Sequence, residues 1–320
     1  MPSTLPVRTL GDLGVSAIGL GCMPMSWAYA AASADPMEVR ATLHRAVELG
    51  VTLLDTADVY GPFTNEKIIG EYVVAEGLRE RVVIATKCGL VPVNATTYDR
   101  RGDRDHIRSA CEASLQRLRI DAIDLYQLHR VDPEIPVEET WGAMSELVAE
   151  GKVRYLGMSE ATVAELEAAN GVHPVSSVQS ELSVWTSENI DNGVLDWCSQ
   201  RGVGFLAYCP LGRGYLTGTL TSDAIGEDDY RSANPRFSEA AMTANQAIVD
   251  GVRAIAERKG ISAAQLALAW VLAQGEHVVP IPGTKRRRWL EENVGAIEVQ
   301  LSQEDFADIA ALPKSVAPRY

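Results

Sequence analysis

Short runs of aliphatic and β-branched residues alternate with longer stretches of helical periodicity along the chain. The apolar runs fall at 19–22, 52–55, 82–87, 122–129, 153–159, 177–179, 204–208 and 277–281. Between them, segments such as 37–49, 105–118, 137–149 and 162–170 repeat their apolar positions at helical spacing. This alternation predicts βαβ units and a parallel sheet. Eight units predict an α/β chain folded as a single (β/α)8 TIM barrel, one domain over 1–320, with an extra helix near 303–311. An N-terminal β-hairpin is expected from 7–10 and 15–18, turning at 11–14. The polar stretches 89–104 and 212–237 read as long loops after the third and seventh barrel strands. Loops that follow barrel strands lie on the C-terminal face, where barrel enzymes build their sites.

A doubly wound open sheet is the competing architecture, and it requires a GxGxxG turn opening a helix after a strand. GLGCMP near the start and GRGYLTG at 212–218 both miss that spacing. The length of 320 residues suits one barrel with enlarged loops.

Composition narrows the partners. A formal charge of −14 argues against a nucleic-acid partner, which needs a basic face. Five cysteines, at 22, 88, 111, 198 and 209, form no CxxC pair and read as reduced thiols of a cytoplasmic protein. The opening MPSTLPVRTLGDLG lacks the apolar core of a signal peptide, and the most apolar helical stretch, 263–273, is too short to span a bilayer. No membrane partner is therefore expected.

Four titratable residues stand at or just past strand ends: Asp55 closes VTLLD, Lys87 closes VVIATK, His129 closes AIDLYQLH, and Tyr60 follows in TADVYG. Polar groups there are costly in a core but natural on a catalytic face. Together they suit carbonyl reduction. Hydride addition builds negative charge on oxygen, and a nearby acid must supply a proton. A phenol with a pKa of about 10 donates poorly unless a buried ammonium lowers it. A carboxylate keeps that ammonium charged and aimed, and an imidazole orients the substrate oxygen. Taken singly, each has an ordinary reading: Asp55 with Thr56 as a helix cap, Tyr60 as a rim aromatic, His129 as a structural histidine. A hydrolytic metal site is not indicated, because the five histidines form no HxH or HExxH. No GxSxG elbow or Walker A loop appears either.

The motifs GLGCMPMS at 19–26, LLDTADVYGPFTNEKIIG at 53–70, VVIATKCG at 82–89 and IDLYQLHRVDP at 123–133 occur in order with GKVRYLGMSE at 151–160, VQSELSVW at 178–185, AYCPLGRGYLTG at 207–218 and IPGTKRRRWLEEN at 281–293. Over nearly its whole length the chain resembles the aldo-keto reductases. HRVDP and GMSE are similar to the branch with pyridoxal reductases and perakine reductase. The resemblance implies a catalytic tetrad of Asp55, Tyr60, Lys87 and His129, with Tyr60 as general acid, and direct hydride transfer from NADPH without metal or flavin. It implies that Ser159 and Gln179 hold the nicotinamide carboxamide and that Tyr208 stacks on its ring. Gly21 and Met23 belong to the same groove, and Pro210, Leu211, Gly212 and Arg213 match the pyrophosphate loop. Gly283, Thr284, Lys285 and Arg286, with Glu292 and Asn293, match the adenosine 2′-phosphate and adenine site. There the residues argue alone as well: a strand, a glycine turn and basic residues opening a helix suit a dianionic phosphate, so NADP is expected over NAD. The KRRR run read by itself is a solvated basic patch or a nucleic-acid contact, the latter poorly supported in a chain of charge −14. Three positions depart from the usual pattern: Glu160 where many relatives carry Asn, Cys209 where Ser is common, and Trp289 where many carry Arg.

Trp27, Tyr29, Phe63, Tyr98 and Trp185 are the expected substrate-pocket aromatics, for a sizeable apolar or ring-bearing carbonyl compound. Sugar-derived, quinone-like, steroid-like and pyridoxal-type carbonyls all stay open. So does a second role known in the superfamily, a cofactor-bound regulatory module with little turnover, like the potassium-channel β-subunits. Oligomeric state is not legible, a monomer being common in the superfamily.

Overall fold

The computed structural model describes residues 5–29, 34–94, 97–226 and 229–319. Among the described residues there are twelve strands: β1 (Val7–Leu10), β2 (Leu13–Ser16), β3 (Leu20–Gly21), β4 (Leu53–Asp55), β5 (Val83–Cys88), β6 (Leu90–Pro92), β7 (Tyr98–Arg100), β8 (Ile123–Leu128), β9 (Val153–Ser159), β10 (Ser177–Glu181), β11 (Gly204–Tyr208) and β12 (Val278–Pro280). The helices are α1 (Pro36–Glu48), α2 (Thr64–Ala75), α3 (Arg104–Leu118), α4 (Val137–Ala149), α5 (Val163–Val172), α6 (Glu188–Asp191), α7 (Val194–Arg201), α8 (Glu239–Lys259), α9 (Ala263–Leu272), α10 (Arg287–Val294) and α11 (Gln303–Ala310).

Eight strands pair in parallel in the order β12-β11-β10-β9-β8-β5-β4-β3. The sheet closes on itself where Gly19 N donates to Pro280 O at 3.0 Å and Gly21 N to Pro282 O at 3.2 Å. Gly21 is required at this seam: a Cβ there would stand 2.8 Å from Ile281 O. The expected (β/α)8 barrel is therefore observed, with each of the eight expected strands in place.

Side chains alternate between two cores, as a pleated strand demands. Leu53, Ala85, Leu125, Leu206, Val279 and Ile281 face the barrel interior, while their strand neighbours Leu54, Ile84, Tyr126, Phe205 and Val278 pack outward against the helices. Leu10 and Val15 of the hairpin join the interior cluster. The hairpin thus plugs the N-terminal end of the barrel. Arg8 fixes it there by donating to the carbonyls of Leu272 and Gly275, both at 3.0 Å, and to that of Val278. Its turn is tighter than expected. Leu10 pairs with Leu13, so the second strand begins at residue 13 and the turn is only Gly11-Asp12. Such two-residue hairpin turns need positive φ, which Gly11 supplies at 60°.

The stretch after β5 is not simply a loop: β6 and β7 form an antiparallel ribbon across it, with residues 95–96 outside the description. The stretch after β11 carries short 3-10 turns at Gly212–Thr217, Ser222–Ala224, Tyr230–Ala233 and Pro235–Phe237, with 227–228 outside the description. Both lie at the C-terminal ends of their strands. Among the described residues no helix is long and apolar enough to cross a membrane.

Candidate active site

Inward parity carries polar side chains into the top of the barrel. Two residues beyond the inner Leu53 stands Asp55, beyond Ala85 stands Lys87, and beyond Leu125 stand Gln127 and then His129. The strand register sets Lys87 beside Gln127 and Gln179 beside Ser159. The sequence-expected quartet therefore meets at one point. Lys87 Nζ donates to Asp55 Oδ1 at 2.7 Å, to Thr56 O at 2.8 Å and to the Tyr60 hydroxyl at 3.4 Å. Asp55 is no helix cap. Its other oxygen accepts from Gln179 Nε2 at 2.8 Å and Gln127 Nε2 at 3.4 Å. Lys87 is 0% exposed, so its charge rests wholly on these partners. The rings of Tyr60 and His129 meet edge-on at 5.9 Å, and Trp27 stacks on Tyr60 at 5.4 Å.

Burial governs the protonation of this cluster. It pushes the Tyr60 phenol above its usual value, and the opposing Lys87 charge only partly offsets it. The net direction is thus opposite to the expected lowering: desolvation of the phenolate outweighs one ammonium. For Lys87 burial is again the largest influence, disfavouring its charge, but Asp55 and Tyr60 together outweigh it and hold the ammonium above its ordinary range. Burial, then the charges of Arg130 and Lys87, keep His129 well below the usual imidazole range. At neutral pH Tyr60 is a phenol, Lys87 an ammonium and His129 a neutral imidazole, gathered around Asp55. His129 Nδ1 is buried with no hydrogen-bond partner among the described residues.

Asp55, Tyr60 and His129 floor one end of a cavity of about 870 Å³, with Lys87 buried behind them. From Tyr60 and His129 it runs past Ser159, Gln179 and Tyr208, along Pro210, Leu211 and Arg213, to Thr284, Lys285 and Arg286, and ends at Glu292 and Asn293. Gly21, Met23 and Gly283 also line it. At the far end the four basic residues divide their work. Lys285 and Arg286 face the cavity, Arg287 pairs with Glu38 at 2.9 Å, and Arg288 lies 3.8 Å over the Trp289 ring. Partial burial, then Arg286, lowers the Lys285 ammonium from its usual value.

Three expected residues are elsewhere. Gly212 is buried behind the wall, where a Cβ would come within 2.8 Å of the Trp185 ring. Trp185 is core, 4% exposed and packed on Tyr215 at 4.6 Å and Phe237 at 5.6 Å. Phe63 adopts a left-handed φ of 64° ahead of α2, which leaves it 41% exposed on the outer surface under Arg117, 4.9 Å away. Of the aromatics, Trp27, Tyr29 and Tyr98 do line the cavity.

Other contributors had no sequence signal. Arg130 lines the cavity and its Nη1 donates to His129 O at 2.6 Å and Ser159 Oγ at 3.1 Å. Tyr230 and Arg231 reach across from the stretch after β11, Tyr230 approaching Trp27 at 6.3 Å and Arg231 lying 5.1 Å over Tyr29. Buried Asn65 laces the loops together, donating to Cys22 O at 2.9 Å and Ser26 Oγ at 2.8 Å and accepting from Thr56 at 2.7 Å. Among the described residues no group of three or more His, Cys, Asp and Glu side chains is arranged to hold a metal ion.

Residues 17–314 match the model of the Aldo/keto reductase family. Among solved structures, a glycerol dehydrogenase from Gluconobacter oxydans is 28% identical over 98% of both chains, with a TM-score of 0.86. An aldo/keto reductase from Klebsiella pneumoniae, solved in complex with NADP and acetate, is 29% identical over 99% of this chain and 98% of that one, TM-score 0.74. The holo form of an aldo-keto reductase from Bacillus halodurans is 25% identical over 98% of both chains, TM-score 0.77.

Proposed function

The chain belongs to the aldo/keto reductase family, and from that premise we propose that it reduces an aldehyde or ketone to an alcohol with NADPH, Tyr60 serving as general acid. The observation that carries this reading is the contact of the buried Lys87 ammonium with both Asp55 and the Tyr60 hydroxyl at the floor of the cavity. A charged lysine with no access to water is costly, and here its third partner is an uncharged phenol that opens onto the cavity.

The residues present fit a nicotinamide dinucleotide phosphate. The cavity is long, its floor holds an unpartnered His129 nitrogen, and its far end offers Lys285 and Arg286 just ahead of α10. Ser159, Gln179 and Tyr208 would hold the nicotinamide, with Pro210, Leu211 and Arg213 along the pyrophosphate. Lys285 and Arg286 would hold the 2′-phosphate, a dianion that guanidinium and ammonium groups favour over a hydroxyl. When bound, NADPH supplies the hydride that the carbonyl carbon receives.

The chain's own part is to manage the oxygen. Tyr60 keeps its proton at neutral pH because burial raises its pKa, so the donor is in the right form before the reaction begins. As negative charge grows on the substrate oxygen, the phenol donates to it. The phenolate left behind lies beside Lys87, whose ammonium offsets its charge, and Asp55 keeps that ammonium in place. A neutral His129 gives the oxygen a second hydrogen-bonding partner without protonating it. Trp27, Tyr98 and Tyr230 wall the mouth and suit a sizeable carbonyl compound.

The test is oxidation of NADPH, followed near its absorbance at about 340 nm, against a panel of aldehydes and ketones. Turnover of at least one carbonyl is expected. Tight cofactor binding with no turnover across the panel would instead make the protein a cofactor-bound regulatory module.

A further inference from the structure

Beside Ser159 and Tyr208 the molecule carries a charged pair that carbonyl reduction does not require. Glu160 follows β9 directly, with a left-handed φ of 57°. Its Oε1 accepts from the Tyr208 hydroxyl at 2.9 Å, from Glu181 N at 3.1 Å and from Arg319 Nη1 at 3.2 Å. Its Oε2 is held by Arg319 Nη2. The two side chains are only 12% and 18% exposed. Arg319 arrives from the far side of the sequence on a segment that is itself pinned. Val316 and Asn245 exchange hydrogen bonds at 2.8 and 3.1 Å, Arg236 donates to Ala317 O at 3.4 Å, and Asn234 to Arg319 O at 2.9 Å. The neighbouring Glu181 is already matched, lying 3.5 Å from Arg213 and 3.7 Å from Arg236.

We infer that Arg319, by neutralising Glu160 one hydrogen bond behind Tyr208, keeps this site from favouring oxidised over reduced nicotinamide cofactor. The inference rests on the reading above, in which Tyr208 and Ser159 face the nicotinamide. The oxidised ring bears a unit positive charge and the reduced ring bears none. Shape and hydrogen bonding act on both forms alike; a fixed charge nearby does not. A carboxylate alone favours the oxidised ring, and because the pair is mostly shielded from water its field is weakly screened. Glu160 ties down the Tyr208 hydroxyl, and Arg319 cancels the charge that this tie introduces. The pair thus holds Tyr208 without retaining the spent cofactor. Both are positioning residues, since neither reaches the reacting atoms.

The experiment measures the Kd of NADP+ and of NADPH by quenching of the protein's own fluorescence, supplied by six tryptophans, in the full chain and three variants. Arg319→Met should lower the ratio Kd(NADP+)/Kd(NADPH) by roughly three- to tenfold, through an exposed carboxylate charge. Glu160→Gln should raise it by a similar factor, and the double variant should return close to the native ratio. A loss of packing alone weakens both forms together and moves no ratio. If Arg319→Met fails to fold, the rise in Glu160→Gln still decides the matter. Ratios within twofold of native in every folded variant overturn the inference. Failure of the native chain to bind either nucleotide overturns the functional reading instead.

Discussion

The two ends of the cavity hold their charges in different ways. At the floor, Lys87 and Asp55 are buried, and each is satisfied by partners inside the barrel. At the far end, Arg286 and Arg287 stand in solvent and Lys285 is only partly covered. Removing one partner from a dry pair strands the other in a medium that cannot solvate it, whereas water takes over much of the loss at a wet one. The floor is therefore rigid and costly to alter. Substitutions at the far end should leave the fold undisturbed.

Substitutions along this axis should show a graded response. Tyr60→Phe, which removes the proton donor but little volume, should lower kcat about a thousandfold and leave Tm near native, read by steady-state turnover and thermal unfolding. A loss below tenfold would mean that another group supplies the proton. Lys87→Met should lose comparable activity and also about 3–5 kcal/mol of stability, because Asp55 stays buried without its counterion. If chemical denaturation shows no such loss, the floor is wetter than its geometry implies. At the other end, Lys285→Ala and Arg286→Ala should each reduce the NADPH over NADH preference in kcat/KM by about tenfold with Tm unchanged. An unaltered preference in both would place the phosphate elsewhere. Arg287→Ala, which breaks only the exposed pair with Glu38, should change neither kcat nor Tm measurably.

Asp58, whose backbone N donates to Lys87 O at 3.2 Å, gives the Lys87 end of the molecule a pH signature. Burial, and next the Glu66 charge, push the Asp58 carboxyl up to about 8. In the unfolded chain it titrates near its ordinary value of 3.8. Between these values the folded protein binds the extra proton, so stability should fall as pH rises from about 4 to about 8, by up to about 1.4 kcal/mol per pH unit. Asp58→Asn should flatten that part of the Tm profile. An unchanged slope would assign it to other groups.

What could be read before folding follows the same division. Asp55, Lys87 and His129 were legible because strand periodicity, together with the rule that barrels react at strand ends, fixes both their parity and their level. That Gly283, Thr284, Lys285 and Arg286 line the cavity was legible because a glycine turn followed by basic residues is a local signal. Phe63 and Trp185 were misplaced because nearness to a strand end says nothing of the turn that follows. Phe63 is swung outward by a left-handed residue, and Trp185 is drawn under the wall by Tyr215 and Phe237, far along the chain. The short turn at Gly11 was missed by two residues because Gly14 reads as a turn residue, although it pairs with Thr9 and Leu13 pairs with Leu10. Arg130, Asn65 and Arg319 gave no sign at all. Arg319 lies 159 positions from Glu160, and no local pattern reports a meeting at that separation.

The hairpin beneath the strands gives the barrel a closed base. Leu10 and Val15 seal it and Arg8 bolts it to the last strand, which makes the molecule a cup and not a tube. The proposed ligands would therefore enter and leave at the strand ends, where Trp27, Tyr98 and Tyr230 line the cavity.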